Sequence, residues 1–252
     1  MSLSLTVLGS AGSHPGVARA CSGYLVRAGD TAVLLDAGNG STANLQRYLP
    51  FTALDAVVVS HRHVDHCADL VGAFYALKYG RQRAAPLTIH GAAEVGDALT
   101  RWLDADSEHE FSDVFDVRDV AGGDEVTIGA LALRFADSVH PVPAVSTRIT
   151  HGDRTIVYSG DSAGGDDLVE IARGADLFLC EASWTGDIAD YRAGIHLTAT
   201  SAAEIAAEAG VGRLVLTHIT GAADRPTILR EARAVFDGPV ELAEDLTTYI
   251  LD

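Results

Sequence analysis

The stretch VVVSHRHVDHCADL, residues 57–70, sets His61, His63, Asp65 and His66 within six positions, directly after an apolar run. Imidazole nitrogens and carboxylate oxygens are the ligands that Zn²⁺ and related divalent ions take, in sites of about four ligands. A lone histidine most often serves another role. Four such groups joining an apolar strand to an apolar helix are hard to explain structurally, because burying an unpaired polar group costs roughly 2–7 kcal/mol. Three further apolar runs end on groups of the same kind: LRFADSVH at His140, TIVYSGD at Asp161 and RLVLTH at His218. Seven ligand-type residues are too many for one tetrahedral ion. They suit two ions about 3.5–4 Å apart that share a bridging carboxylate and a bridging water.

The elements that position these residues read as short apolar runs alternating with helical patterns. LTVLG, GYLVRAG and TAVLLDAG are consecutive strands with glycine turns, and STANLQRYL (41–49) is a short helix ended by Pro50. ALDAVVVSH (53–61) is a strand buried on both faces, since its apolar residues run on without alternation. Leu70, Phe74 and Leu77 fall at helical spacing ahead of Gly80, and residues 93–103 form another helix after the strand PLTIHG. Residues 110–160 are β-rich, with AVSTRIT and RTIVYSG as a tight strand pair. Beyond them come the strand ADLFLCEA and a helix over 201–210, with Ser201 and Glu204 as a capping box and Gly210 closing it. The strand GRLVLTHI, a helix over 226–236 that begins with proline, and a last strand PVELAEDLTTYIL complete the chain. No linker, charge block or low-complexity tract interrupts it, so residues 1–252 read as one unit of two α/β halves with packed sheets. Strand endings that carry ligands can converge, because sites in open α/β sheets collect beyond the carboxyl ends of strands.

Composition narrows the partners. With 18 Lys+Arg against 35 Asp+Glu the formal net charge is −17, which opposes broad nucleic-acid binding. Two divalent ions would leave the surface acidic. The start, MSLSLTVLGSAG, lacks the basic region of a secretory signal, and no apolar run nears the ~20 residues of a membrane span. Three cysteines without CxxC spacing fit a reducing, cytoplasmic setting. Cys67 follows His66 directly and reads as a small packing residue.

The segment SHRHVDH resembles the HxHxDH signature of the metallo-β-lactamase superfamily. His140 before a Pro-rich turn, YSGDS around Asp161, LTHI around His218, TVLGSAG and LLDAG match further motifs of the family in order, over nearly the whole chain. The resemblance implies a four-layer αβ/βα sandwich: two packed mixed β-sheets flanked by helices, with a two-metal site at the sheet edge. It implies that His61, His63 and His140 hold one metal, that Asp65, His66 and His218 hold the other, and that Asp161 bridges them. FLCEASW followed by IHLTATSAAEIAAEAG resembles the ribonuclease Z-like branch, whose short bacterial members include cyclic-nucleotide phosphodiesterases. In that branch the histidine at the position of His196 is an acid for the leaving oxygen. Dimers are common there, which implies a homodimer.

The resulting expectation is a metal-dependent phosphodiesterase that attacks with a metal-bridged hydroxide. Asp65 binds metal and could orient the hydroxide; His196 would protonate the leaving group. Glu181, at a strand end, could hydrogen-bond a site histidine. His14 lies in the glycine-rich loop GSAGSHPG, which reads first as a plain turn; resemblance places that loop near the site rim, where His14 could meet substrate. Zn²⁺ suits the ligands best, and Mn²⁺ or Fe also fits. Ribonuclease Z carries a long arm that grips tRNA; here only twenty residues separate His140 from Asp161, and no basic arm appears. A small phosphodiester such as a cyclic nucleotide therefore fits better than tRNA. Pre-tRNA processing stays open as the alternative, and a thioester or lactam hydrolase as a more distant one.

Overall fold

The computed structural model describes residues 2–80 and 83–252. Among these residues the chain forms two seven-stranded mixed sheets. The first contains β1 (Leu3–Gly9), β2 (Gly23–Ala28), β3 (Thr31–Ala37), β4 (Ala56–Val59), β5 (Leu87–Gly91) and β6 (Phe115–Asp119). The second contains β7 (Glu125–Ile128), β8 (Leu131–Asp137), β9 (Val145–His151), β10 (Arg154–Tyr158), β11 (Leu177–Glu181), β12 (Leu214–Thr217) and β13 (Val240–Leu242). The final strand, β14 (Thr248–Leu251), returns to the first sheet and pairs with β1. Strand order is β14-β1-β2-β3-β4-β5-β6 in one sheet and β13-β12-β11-β10-β9-β8-β7 in the other.

Helices cover the outer faces. On the first sheet lie α1 (Ser41–Leu45), α2 (Val64–Cys67), α3 (Asp69–Tyr79), α4 (Val95–Trp102), α5 (Ala105–Glu108) and α6 (Phe111–Val114). On the second lie α7 (Asp166–Ala172), α8 (Ala199–Ala209) and α9 (Arg225–Arg233). Three apolar clusters glue the four layers. Leu5, Val33, Val58, Phe135, Ile156 and Leu179 meet between the sheets. Leu34, Val57, Leu70 and Phe74 pack under α3, while Phe178, Leu216, Ala202 and Ile228 pack under α8 and α9. The continuous apolar run of β4 now has its reason. Ala56 and Val58 face the opposite sheet and Val57 and Val59 face the helices, so every side chain is buried.

Three local expectations need correction. PVELAEDLTTYIL is not one strand: β13 and β14 are separated by a turn and belong to different sheets. The cap of α8 is Thr198, whose hydroxyl accepts from the Ser201 amide; Ser201 is inside the helix, and Gly210 ends it in the left-handed conformation. The helix expected over 41–49 stops at Leu45. Both sheets run their parallel strands toward one edge, so the loops after β4, β10, β11 and β12 meet there.

Leu179 is fully buried between the sheets on β11, an interior strand of the second sheet. Leu179→Ala is expected to lower unfolding free energy by about 2–5 kcal/mol, read by denaturant titration of the metal-free protein. A loss well under 1 kcal/mol would show that the inter-sheet core repacks freely.

Candidate metal centre

The structure brings together all seven ligand-type residues read from the sequence. His61, His63, His140 and Asp161 can each offer one atom to a common point, and Asp65, His66 and His218 to a second. Asp161 lies between the groups with its oxygens divided. Its Oδ2 is 3.7 Å from His61 Nε2, while its Oδ1 is 3.2 Å from His66 Nε2 and 3.4 Å from His218 Nε2. Asp65 Oδ2 is 3.1 Å from His218 Nε2 and 3.6 Å from His66 Nε2, and it accepts the Ser13 amide.

Four of the five imidazoles are tied from behind. The His66 Nδ1–H donates to Asp36 Oδ2 at 2.8 Å. Ser60 Oγ also donates to Asp36, so it accepts from His61 Nδ1 at 3.1 Å. His140 Nδ1–H donates to the Ile195 carbonyl. Ser183 Oγ donates to Glu181 Oε2 and accepts from His218 Nδ1. With every Nδ1 proton directed outward, the four Nε2 lone pairs point inward. His63 is turned the other way, with its Nδ1 2.9 Å from His61 Nε2 and 3.2 Å from His140 Nε2.

These atoms suit cations. Three converging imidazole nitrogens can share a proton only in part, and the remaining lone pairs repel. His66 Nε2 and Asp161 Oδ1 are buried without an aligned hydrogen-bond partner. Burial pushes the His61, His63 and His140 imidazoles below their usual range, which keeps them neutral as metal binding requires. Burial also disfavours charge on His66, but Asp161 and Asp36 outweigh it and lift its pKa well above the ordinary value. Asp65, despite its own burial, is held low by the His218 hydrogen bond and by His66. The pocket thus demands positive charge at its centre, and a divalent ion in each group would supply it.

The backbone is bent to serve this cluster. Asp36 and His218 end their strands with φ near +54°, and Ser13 has φ 61°, all in the left-handed region that L-residues seldom occupy. Gly38 and Gly12 allow the close packing: a Cβ on Gly38 would lie 1.9 Å from the Asp65 carbonyl, and one on Gly12 would lie 2.8 Å from His218 Nδ1.

Of the remaining expected residues, Glu181 is fully buried, accepting from His196 Nδ1 at 2.9 Å and from the Ser162 amide. His196 stands over Asp161, its Nδ1 3.7 Å from Oδ2. Burial lowers the His196 pKa, but the Glu181 hydrogen bond and charge overcome this and raise it. His14 is exposed; its ring bonds the Pro15 carbonyl and does not join the cluster. Cys67 packs inside and donates to the His63 carbonyl. Sequence reasoning gave no role to Asp36, Ser60, Ser183 or Trp184, whose ring meets His196 edge-on at 5.2 Å. Asp36 alone left a signal, the strand-ending carboxylate in LLDAG.

The sequence matches the beta-lactamase superfamily domain over residues 31–219, a span that contains all seven ligand-type residues, Glu181 and His196. The chain belongs to the beta-lactamase superfamily. This superfamily member is 41% identical to ML1173 of Mycobacterium leprae over 97% of its own length and 87% of that protein. It is 32% identical to the probable metallo-hydrolase YhfI of Bacillus subtilis, over 96% of this chain and 97% of YhfI. The crystal structure of YhfI, a metallo-β-lactamase fold protein, aligns with TM-score 0.89 across 99% of this chain and 100% of that one. Human tRNase Z, short form, shares the fold at TM-score 0.80 and 22% identity, over 99% of each chain. Among the described residues no helix is long and apolar enough to cross a membrane.

Asp36→Asn keeps the side-chain volume but weakens the acceptor behind His66. The expected outcome is a fall in Zn²⁺ or Mn²⁺ affinity of about 10–100-fold, measured by competition with a chelating dye. Unchanged affinity would mean that packing alone orients His66.

Proposed function

We propose that this chain is a phosphodiesterase with two divalent metal ions, acting on a small phosphodiester such as a cyclic nucleotide. The observation that carries the reading is the pairing of His196 with buried Glu181 directly above Asp161, between the two ligand groups. His61, His63 and His140 would hold one ion, Asp65, His66 and His218 the other, with Asp161 shared. Ions held there would lower the pKa of bound water toward neutrality and offset charge on the phosphoryl oxygens.

The chain's own residues supply the rest. Glu181 accepts from His196 Nδ1 and favours the protonated ring, so the second proton sits at Nε2, which has no partner among the described residues. That proton can pass to the departing ribose oxygen. Water adds across one P–O bond, and a phosphate monoester and a hydroxyl result. Asp65 accepts the Ser13 amide and lies 3.1 Å from His218 Nε2, a place from which it can align the attacking oxygen. The Trp184 ring holds the His196 plane from the side and is itself stacked on Tyr191 at 4.3 Å.

A small substrate accords with the connection between His140 and Asp161. It is filled by the paired strands β9 and β10, joined at Gly152 and Asp153, which leaves no length for a projecting tRNA-gripping arm. The acidic balance of the chain points the same way.

The test is hydrolysis of 3′,5′-cyclic AMP and bis(p-nitrophenyl) phosphate by wild type and His196→Ala, with metal content measured on the same samples. The variant is expected to keep its metals and to lose about 10²–10⁴-fold in kcat on cyclic AMP. It should lose far less on the aryl ester, whose leaving group needs little protonation. A metal-loaded wild type that ignores both substrates, or that cleaves only precursor tRNA, would overturn the reading.

A further inference from the structure

The cluster of imidazoles accounts for a phosphate, but not for what the phosphate carries. Two recesses, about 420 and 450 Å³, lie along α3 to α6 and touch none of the clustered residues. Two others share a wall with the centre. His140 lines one of about 340 Å³, otherwise walled mostly by apolar and proline side chains, and His63 lines one of about 270 Å³, with Arg62, Glu94, Arg101 and Trp102. That volume falls just below the range of whole small-molecule sites, as suits a subsite for part of a ligand.

The recess has built features. Arg62 lies between two ligand-type histidines in the chain, and its Nε donates to Glu94 Oε2 at 2.6 Å. This bond holds the guanidinium, and the two terminal nitrogens have no partner among the described residues. Glu94 takes up its position through a left-handed backbone, φ 74°, immediately before α4. Ser13, Asp36 and His218, the residues with the same strain at the cluster, each place a group on the site. Glu94 does the same for the recess. Trp102 closes α4 and is 37% exposed, so one face of its ring is open to the recess. Each guanidinium is paired with a carboxylate, Arg62 with Glu94 and Arg101 with Asp97 at 3.6 Å, so what the recess offers is flat faces more than net charge. Two guanidinium planes and an indole form a platform for a flat, electron-rich ring.

We propose that this recess is the nucleobase subsite. The heterocycle of a nucleotide phosphodiester stacks on Trp102 and the Arg62 and Arg101 guanidiniums, and Glu94 Oε1 accepts from an exocyclic amine. The proposal rests on the phosphodiesterase reading and deepens it. It assigns Trp102 to substrate choice, and it makes an unsubstituted ribose phosphate a poor ligand.

The experiment compares 3′,5′-cyclic AMP with methyl ribofuranoside 3′,5′-cyclic phosphate, which keeps the cyclic phosphodiester and lacks the base. Wild type is expected to show a KM at least about tenfold lower for cyclic AMP, since one base–aromatic stack contributes roughly 5- to 150-fold. Trp102→Ala should bring the two KM values together, with metal content retained. Glu94→Gln should narrow the gap for cyclic AMP more than for the inosine analogue, which lacks the amine. A second readout needs no turnover: adenosine should quench the fluorescence of Trp184→Phe, where Trp102 is the remaining indole, and not that of Trp102→Ala. Equal KM values in wild type, or a preference that survives Trp102→Ala, would overturn the subsite while leaving the phosphodiesterase reading intact. An equal rise for both substrates in Trp102→Ala would show support of His63 instead, and overturn it as well. Wild type that hydrolyses neither cyclic phosphate would remove both proposals together.

Discussion

The buried carboxylate of Asp36 is the contact on which the arrangement depends. It is fully enclosed and receives the Ser60 amide and hydroxyl, His66 Nδ1 and the Tyr158 hydroxyl, all within 2.8 Å. A carboxylate cannot be buried without donors, because its desolvation would otherwise outweigh the packing gained. Satisfying it joins β3 to the loop after β4 and, through Tyr158, to β10 of the opposite sheet. The two sheets are therefore held in register at the edge where their loops meet. One residue sets the sheet spacing, the His66 tautomer and, through Ser60, the orientation of His61.

Glu181 is the corresponding anchor on the second sheet. It takes the Ser162 amide, the Ser183 hydroxyl and His196, and through Ser183 it also orients His218. Each half of the chain thus contributes a strand-ending carboxylate that supports histidines from behind. Low dielectric surroundings make such networks strong when complete and costly when broken. The inward lone pairs and the divided oxygens of Asp161 follow from these supports. So does the need for positive charge at the centre, which Asp161 and Asp36 express by lifting the His66 pKa.

Function is concentrated at one edge for a related reason. Parallel strands buried on both faces can carry no polar chemistry along their length, so it is displaced to their carboxyl ends. There the backbone must turn sharply, and left-handed residues at Ser13, Asp36 and His218 absorb the turn. Glu94 follows the same pattern one loop away, beside His63. The surface outside is acidic, and the arginines that line the recess stand out against it.

The sequence by itself picked out the seven ligand-type residues, the branch of the family and the alternation of strands and helices. Those features are local: HxHxDH within six residues, four apolar runs ending on ligand-type groups, and glycines that close helices. It also located His196 and Glu181, through motifs that resemble known ones. It could not divide PVELAEDLTTYIL between two sheets, because both pieces have the same strand-like composition and only long-range pairing separates them. It placed the α8 cap three residues late, since Ser201 and Thr198 are equally able caps until the backbone shows which lies outside the helix. It passed over Asp36, Ser60 and Ser183, whose partners lie up to 122 residues away in the chain. Which nitrogen of each imidazole faces inward, how Asp161 divides its oxygens and which recess adjoins His63 were decided only by tertiary structure, because each depends on contacts between residues brought together by the packing of the two sheets.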